Sequence, residues 1–190
     1  MRAHTAFSAL RRTCAAAMLA LPALALAAYP EKPITIIVPF AAGGPTDVLT
    51  RVIAERMARE LAQPMIVENT PGAGGTVGNA RAARAKPDGY TVLAGNVGTL
   101  AASNSFYRKL PYDMHKDFVG IASIGDAPQI VSARKDFPPT GLEALHDYVK
   151  PQESKVTFGA AGVGSGSYLG GVLLNNALGL NVEAINYRGA

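Results

Sequence analysis

From residue 34 onward the chain alternates between two hydrophobic periods. Ile34-Thr35-Ile36-Ile37-Val38 is a short, mostly β-branched run closed by Pro39, the pattern of a strand buried on both faces. Over residues 46–61 the apolar side chains Val48, Leu49, Val52, Ile53, Met57 and Leu61 return at helical spacing, with Arg51, Glu55, Arg59 and Glu60 on the other side. That predicts an amphipathic helix lying on a sheet. Met65-Ile66-Val67 reads as the next strand, residues 76–85 as an Ala-rich helix, and residues 90–94 as a third strand after the Pro87-Asp88-Gly89 turn. Strand, helix, strand, helix, strand is the signature of a parallel sheet with right-handed crossovers.

A second region begins near Val119. Val119-Gly120-Ile121-Ala122 and Gln129-Ile130-Val131-Ser132 are expected to be strands, and Thr140 with Glu143 forms a capping box for a helix through Leu142, Leu145 and Val149. Val156-Thr157-Phe158 reads as a strand, residues 168–178 as a helix and Val182-Glu183-Ala184-Ile185 as a last strand. The expected plan is an export signal over residues 1–28, a first lobe over 29–125 and a second lobe over 126–190. The chain stops at Tyr187-Arg188-Gly189-Ala190, directly after a strand, so the second lobe is expected to be incomplete.

The start of the chain has a composition of its own. Arg2, Arg11 and Arg12 precede a small apolar run from Cys14 to Leu26, broken once by Pro22, and Ala25-Leu26-Ala27 offers the small residues a signal peptidase accepts. Cleavage near Ala27 or Ala28 and a periplasmic mature protein are expected. The run is shorter than the roughly 20 residues a membrane span needs. The whole chain has 190 residues, 48% apolar and 17% charged, which excludes disorder and a coiled coil. Its one Cys lies in the leader, so no disulfide framework and no multi-Cys zinc site are expected. The formal charge of +4 falls to +1 once the three leader arginines are set aside, and no nucleic-acid footprint remains.

Candidate chemistry follows the glycines. Phe40-Ala41-Ala42-Gly43-Gly44-Pro45, Pro71-Gly72-Ala73-Gly74-Gly75 and Ala160-Ala161-Gly162-Val163-Gly164-Ser165-Gly166 each follow an expected strand and precede a helix. In an open parallel sheet such loops share the carboxyl edge where ligands bind. Helix N-termini there offer free N–H groups, and glycine lets the backbone approach an anion closely. Any one loop is equally well a tight turn; three together favour an anionic small-molecule site.

Known anion and hydrolase motifs narrow the reading. No loop carries the Lys of a P-loop, and Val77 stands where a dinucleotide fingerprint needs its third Gly. Ser165 is flanked by Val163 and Ser167 where a nucleophile elbow needs Gly. His115 and His146 have no second ligand at helical spacing, so no metal and no cofactor are expected. Asp47, in the first turn of a helix, is favoured to fix the loop before it over touching an anionic ligand, although it stays in the candidate set.

Three segments also carry a family resemblance. Val38-Pro39-Phe40-Ala41-Ala42-Gly43-Gly44-Pro45-Thr46-Asp47, Glu68-Asn69-Thr70-Pro71-Gly72-Ala73-Gly74-Gly75 and Lys86-Pro87-Asp88-Gly89-Tyr90-Thr91 resemble the Bug-type extracytoplasmic solute receptors of tripartite tricarboxylate transport systems, over residues 29–190. The resemblance implies an α/β fold of the two-lobed type II periplasmic binding protein kind, each lobe a parallel or mixed sheet flanked by helices. It also implies a monomer that closes around a small carboxylate and delivers it to a two-subunit membrane permease. In such receptors the loop after the first strand and a Gly/Ser loop of the second lobe hold the carboxylate through backbone N–H groups and bridging water. Here those are Phe40, Ala41, Ala42, Gly43 and Gly44, and Ala161, Gly162, Gly164 and Ser165, with Gly72, Ala73, Gly74, Gly75, Asn96 and Tyr168 completing the candidate set. Tyr168 replaces the His often found after Gly-Ser, which changes pocket polarity and size. A sensing receptor, or an enzyme acting on a small anionic metabolite, are the alternative readings; the sequence offers the enzyme no acid–base pair or nucleophile.

Overall fold

The computed structural model describes residues 29–126 and 128–187, and the expected export signal lies outside them. The chain divides into two units, residues 1–31 and 32–190, and every element named here belongs to the second. No helix among the described residues is long and apolar enough to cross a membrane.

The β-branched run forms β1, Ile34–Val38, the middle strand of a three-stranded sheet. It pairs in parallel with β2, Met65–Asn69, from Ile34 opposite Met65 to Val38 opposite Asn69, and with β3, Thr91–Leu93, from Thr35 to Ile37. A central parallel strand is covered on both faces, which is why the run is apolar at both parities. Ile36 and Val38 meet Phe40, Ala54 and Ala94, with Met65 and Val67 packed against them. Ile37, of the other parity, is equally buried.

The first helix, α1, spans Pro45–Leu61. Pro45 occupies its first turn, where the missing N–H costs nothing, and Ala62 ends it in a left-handed conformation. Its buried face differs from the expected one. Asp47, Thr50 and Ala54 face inward, whereas Val48 and Val52 are more than half exposed. Small side chains at 50 and 54 let the helix lie close on β1 and β2, and the carboxylate at 47 is drawn in by partners described below. The next helix, α2, Thr76–Ala83, buries Thr76, Gly78, Asn79 and Ala80. A Cβ at Gly78 would stand 2.7 Å from the Cβ of Pro39, so only glycine lets this helix approach the end of β1 so closely.

After β3, a wide helical turn over Gly98–Ala102 runs directly into α3, Ser103–Phe106, and Tyr107 leaves it in an extended conformation. The strands expected at residues 119–122 and 129–132 are absent: the backbone there is irregular. A strand requires a hydrogen-bonded neighbour, and neither segment finds one among the described residues. Val119, Ile121 and Ile130 consequently stay exposed. The capping box is absent too. Gly141, at φ +89, takes the N-cap position of α4, Leu142–Val149, leaving Thr140 outside the helix.

A second, two-stranded parallel sheet joins β4, Thr157–Ala160, to β5, Glu183–Asn186, from Thr157 opposite Glu183 to Ala160 opposite Asn186. Helix α5, Gly166–Leu178, crosses between them and ends on a left-handed Gly179 whose N–H serves the Asn175 and Asn176 carbonyls. Phe158 lies against Gly171 of this helix, where any Cβ would overlap its ring. The Ile36→Ala variant tests the shared core of β1: it is expected to lose about 2–5 kcal/mol of unfolding free energy in urea titration. A loss below about 1 kcal/mol would contradict the packing described for β1.

Candidate functional site

Parallel pairing brings the carboxyl ends of β1, β2 and β4 to glycine-rich loops, and each loop is shaped differently. The loop after β1 is set by a clamp around the buried Asp47 carboxylate. Gly43, at φ +85, donates its N–H to Asp47 Oδ2 at 2.8 Å, as an acidic residue in the first helical turn reaches back in a capping box. Arg51 Nε lies 3.0 Å from both Asp47 oxygens, and Asn69 Nδ2 donates to Asp47 Oδ1 at 2.9 Å and to the Phe40 carbonyl at 3.1 Å. Arg51 Nη2 closes the ring by donating to Asn69 Oδ1 at 2.9 Å. Asp47 is 2% exposed, yet its carboxyl is held down to a pKa of about 2, first by the Arg51 hydrogen bond and then by the Gly43 N–H, with burial opposing and Asn69 assisting.

The loop after β2 runs through four consecutive residues of positive φ: Gly72, Ala73, Gly74 and Gly75. Three are glycines, and Ala73 at φ +44 is one of two non-glycine residues of positive φ among those described. The loop after β4 turns on Gly162 at φ +113 and Gly164 at φ +82. It is fixed by hydroxyls: Ser165 caps α5 by accepting from the Tyr168 N–H, lies 3.1 Å from Ser167 Oγ, and Ser167 Oγ accepts from the Ala161 N–H.

The last two loops touch. A Cβ at Gly74 would overlap the Val163 carbonyl oxygen, and one at Gly162 would lie 3.0 Å from the Gly74 nitrogen. Beside this contact lies a cavity of about 340 Å³ lined by Pro39 and Phe40, residues 72–75, Tyr107, residues 161–163, Asn186 and Tyr187. No carboxylate, ammonium, guanidinium or imidazole is among those side chains. The N–H groups of Ala73, Gly74, Gly162 and Val163 have no hydrogen-bond partner among the described residues. The site can therefore meet a negative charge with backbone dipoles, and it has no charged side chain to offer.

Of the residues expected at the site, Phe40, Gly72, Ala73, Gly74, Gly75, Ala161 and Gly162 line the cavity. Asp47 lies behind it, and its oxygens hold Gly43 in place, so Gly43 N–H is already used. Gly44 is the buried N-cap of α1, with Ala41 and Ala42 on the outer turn of the same loop. Asn96 accepts from the Gly98 and Thr99 N–H groups and caps the turn that leads into α3. Gly164 packs on the Tyr107 and Phe106 rings, Ser165 is buried at the cap, and Tyr168 packs edge-on to Phe106 at 5.5 Å between centroids.

Sequence reasoning missed Tyr107, Asn186, Tyr187 and the clamp partners Arg51 and Asn69. The signal for three of them was available: Asn69, Asn186 and Tyr187 end strands or directly follow them, and so belong to the ligand-binding edge. Tyr107 sits in a polar, aperiodic segment and gave none.

Comparison with known proteins identifies the fold and the family. A family model described as tripartite tricarboxylate transporter family receptor matches residues 49–190. A UPF0065 protein of Bordetella pertussis (strain Tohama I) is 40% identical over 184 residues, which is 96% of this chain and 57% of that protein. MatC of Rhodopseudomonas palustris, solved with bound malate, aligns at TM-score 0.81 and 40% identity over 85% of this chain and 55% of its own. The periplasmic binding protein BugD aligns at TM-score 0.73 and 38% identity over 85% of this chain and 54% of its own. The parallel sheets flanked by helices are thus those of periplasmic binding proteins, and the chain spans about half the length of the curated relatives it matches.

The Asp47 clamp has a pH signature. Because its folded carboxyl titrates below the unfolded value of about 3.9, its contribution is whole above that pH and is lost as pH falls through about 2. With Arg51 half exposed and screened by water, that contribution is about 1–2 kcal/mol. Urea titrations of the parent and Asp47→Asn should therefore differ in stability by a gap that is constant above pH 4 and closes towards pH 2. A gap independent of pH would contradict the clamp.

Proposed function

Since the chain belongs to the tripartite tricarboxylate transporter receptor family, we propose that it is an exported receptor that takes a small carboxylate between its glycine loops, closes on it and hands it to a two-subunit permease. The observation that carries this reading is the cavity itself: a space with no charged side chain, lined by two touching loops whose amides at 73, 74, 162 and 163 have no hydrogen-bond partner among the described residues. A carboxylate there would be held by N–H dipoles, directly or through water, and water bridges are nearly as favourable as direct bonds. At about 340 Å³ the space lies at the small end of ligand sites, which favours a compact acid over a nucleotide. The bound malate of MatC supports that class of ligand.

The titratable side chains lining the cavity are Tyr107 and Tyr187, and burial pushes the Tyr107 phenol above its ordinary value. The raised Tyr107 phenol is not poised to exchange protons near neutrality, which favours capture over catalysis. Within the same proposal, residues 1–28 are removed on export, the lobes divide near residue 125, and closure excludes water so that the N–H bonds strengthen.

Calorimetric titration with malate and a panel of small mono- and dicarboxylates tests the reading. Saturable binding is expected, and Gly162→Val, whose side chain at φ +113 would crowd the Gly74 backbone and distort the loop, should abolish it while the circular dichroism of the helices and strands stays unchanged. Undiminished affinity in that variant, or no binding to any acid of the panel, would contradict the proposal.

A further inference from the structure

Tyr107 comes from the end of α3, on the side of the first sheet, and its hydroxyl lies 2.8 Å from two carbonyl oxygens at once: Ala73 in the loop after β2 and Val163 in the loop after β4. A phenol has one proton, so the two acceptors compete for it. Ala73 O is already served twice, by the Thr76 N–H and by Thr76 Oγ1 at 3.0 Å. Val163 O takes no other hydrogen among the described residues. The proton is therefore best placed towards Val163, across the gap between the two sheets. Around this bond the loops meet as bare backbone. Gly74 abuts the Val163 carbonyl, and Cβ atoms at Gly98 and Gly164 would crowd the Gly164 carbonyl and the Tyr107 ring at 2.5 and 3.3 Å. Glycine contacts of this kind fit closely but carry little adhesion, whereas a directed hydrogen bond at their centre fixes one arrangement.

We propose that Tyr107 is a positioning residue of the site: its hydroxyl latches the glycine loop of the second sheet to that of the first and so sets the spacing of the free amides around the cavity. The proposal rests on the cavity being the ligand site, but its test uses the unliganded chain, so a failure here leaves the carboxylate reading standing. The titratable groups facing the phenol are Tyr112, Tyr187 across the cavity, and Tyr168 behind Phe106. Burial raises the Tyr107 phenol above its ordinary value, so the hydroxyl keeps its proton across the neutral range and the latch does not respond to pH there.

The experiment is amide exchange by nuclear magnetic resonance on the 190-residue chain and its Tyr107→Phe variant. The hydrogen-bonded loop amides of Gly75, Thr76 and Ser165 report on the latch, and those of Thr70 and Ala94 report on the first sheet. Loss of one net hydrogen bond of about 1.4 kcal/mol corresponds to about tenfold faster exchange. That acceleration is expected at the loop amides with the sheet amides unchanged. Equal loop rates in parent and variant would overturn the proposal. Should the variant also lose protection at Thr70 and Ala94, 3,5-difluorotyrosine placed at 107 keeps the ring and a hydroxyl that ionises near neutrality. Loop protection factors should then fall as that hydroxyl loses its proton, while the parent stays level over the same pH range. Protection that ignores the proton would overturn the latch equally.

Discussion

The parallel pairing of β1 with both of its neighbours is the constraint on which the rest depends. It demands a strand buried on two faces, which Ile34, Ile36, Ile37 and Val38 supply. It also forces each connection to cross back over the sheet, so the loops after β1 and β2 emerge at one edge. The β4–α5–β5 unit repeats the device, and its own glycine loop meets the first pair. A binding edge of this kind is a by-product of topology before any side chain is chosen. The residues then decide what the edge can hold, and here they leave it lined with backbone.

Leaving the cavity without charged side chains moves the electrostatic work behind it. Asp47 is buried, ionised and satisfied by Gly43, Arg51 and Asn69, so the negative charge next to the site is neutralised before a ligand arrives. The same bonds tie the loop after β1 and the start of α1 to the last residue of β2. A buried carboxylate missing any of these partners would be costly, which makes the clamp a specifier of loop geometry more than a source of net stability. Tyr107 plays the corresponding part between the two sheets, with a neutral group where a charge would compete with an anion.

What could be read from the chain was whatever local periodicity or motif determines. Strands β1 to β5, helices α1, α2, α4 and α5 and the glycine loops all follow from runs and turn residues that need no partner to be recognised, whereas α3 lies in an aperiodic segment and does not. The errors occurred where a distant partner decides. The buried face of α1 was misassigned because Asp47, a charged residue, goes inward only if Arg51 and Asn69 meet it, while Val48 and Val52 stay outside. Residues 119–122 and 129–132 have strand-like composition, but composition cannot provide the neighbouring strand. Thr140 lost its cap role because Gly141, one residue on, could adopt a conformation closed to other side chains. Tyr107 was invisible because its function comes from two carbonyls, one 34 and the other 56 residues away along the chain.

The central claim is that backbone amides of the two touching glycine loops receive a small carboxylate. Titrating the isotopically labelled chain with malate and following each amide resonance tests this most directly. The account predicts that the largest shifts fall on Ala73, Gly74, Gly162 and Val163 and saturate together. Shifts centred elsewhere, such as the open groove between α4 and α5, or no saturable shifts at these four amides, would contradict it.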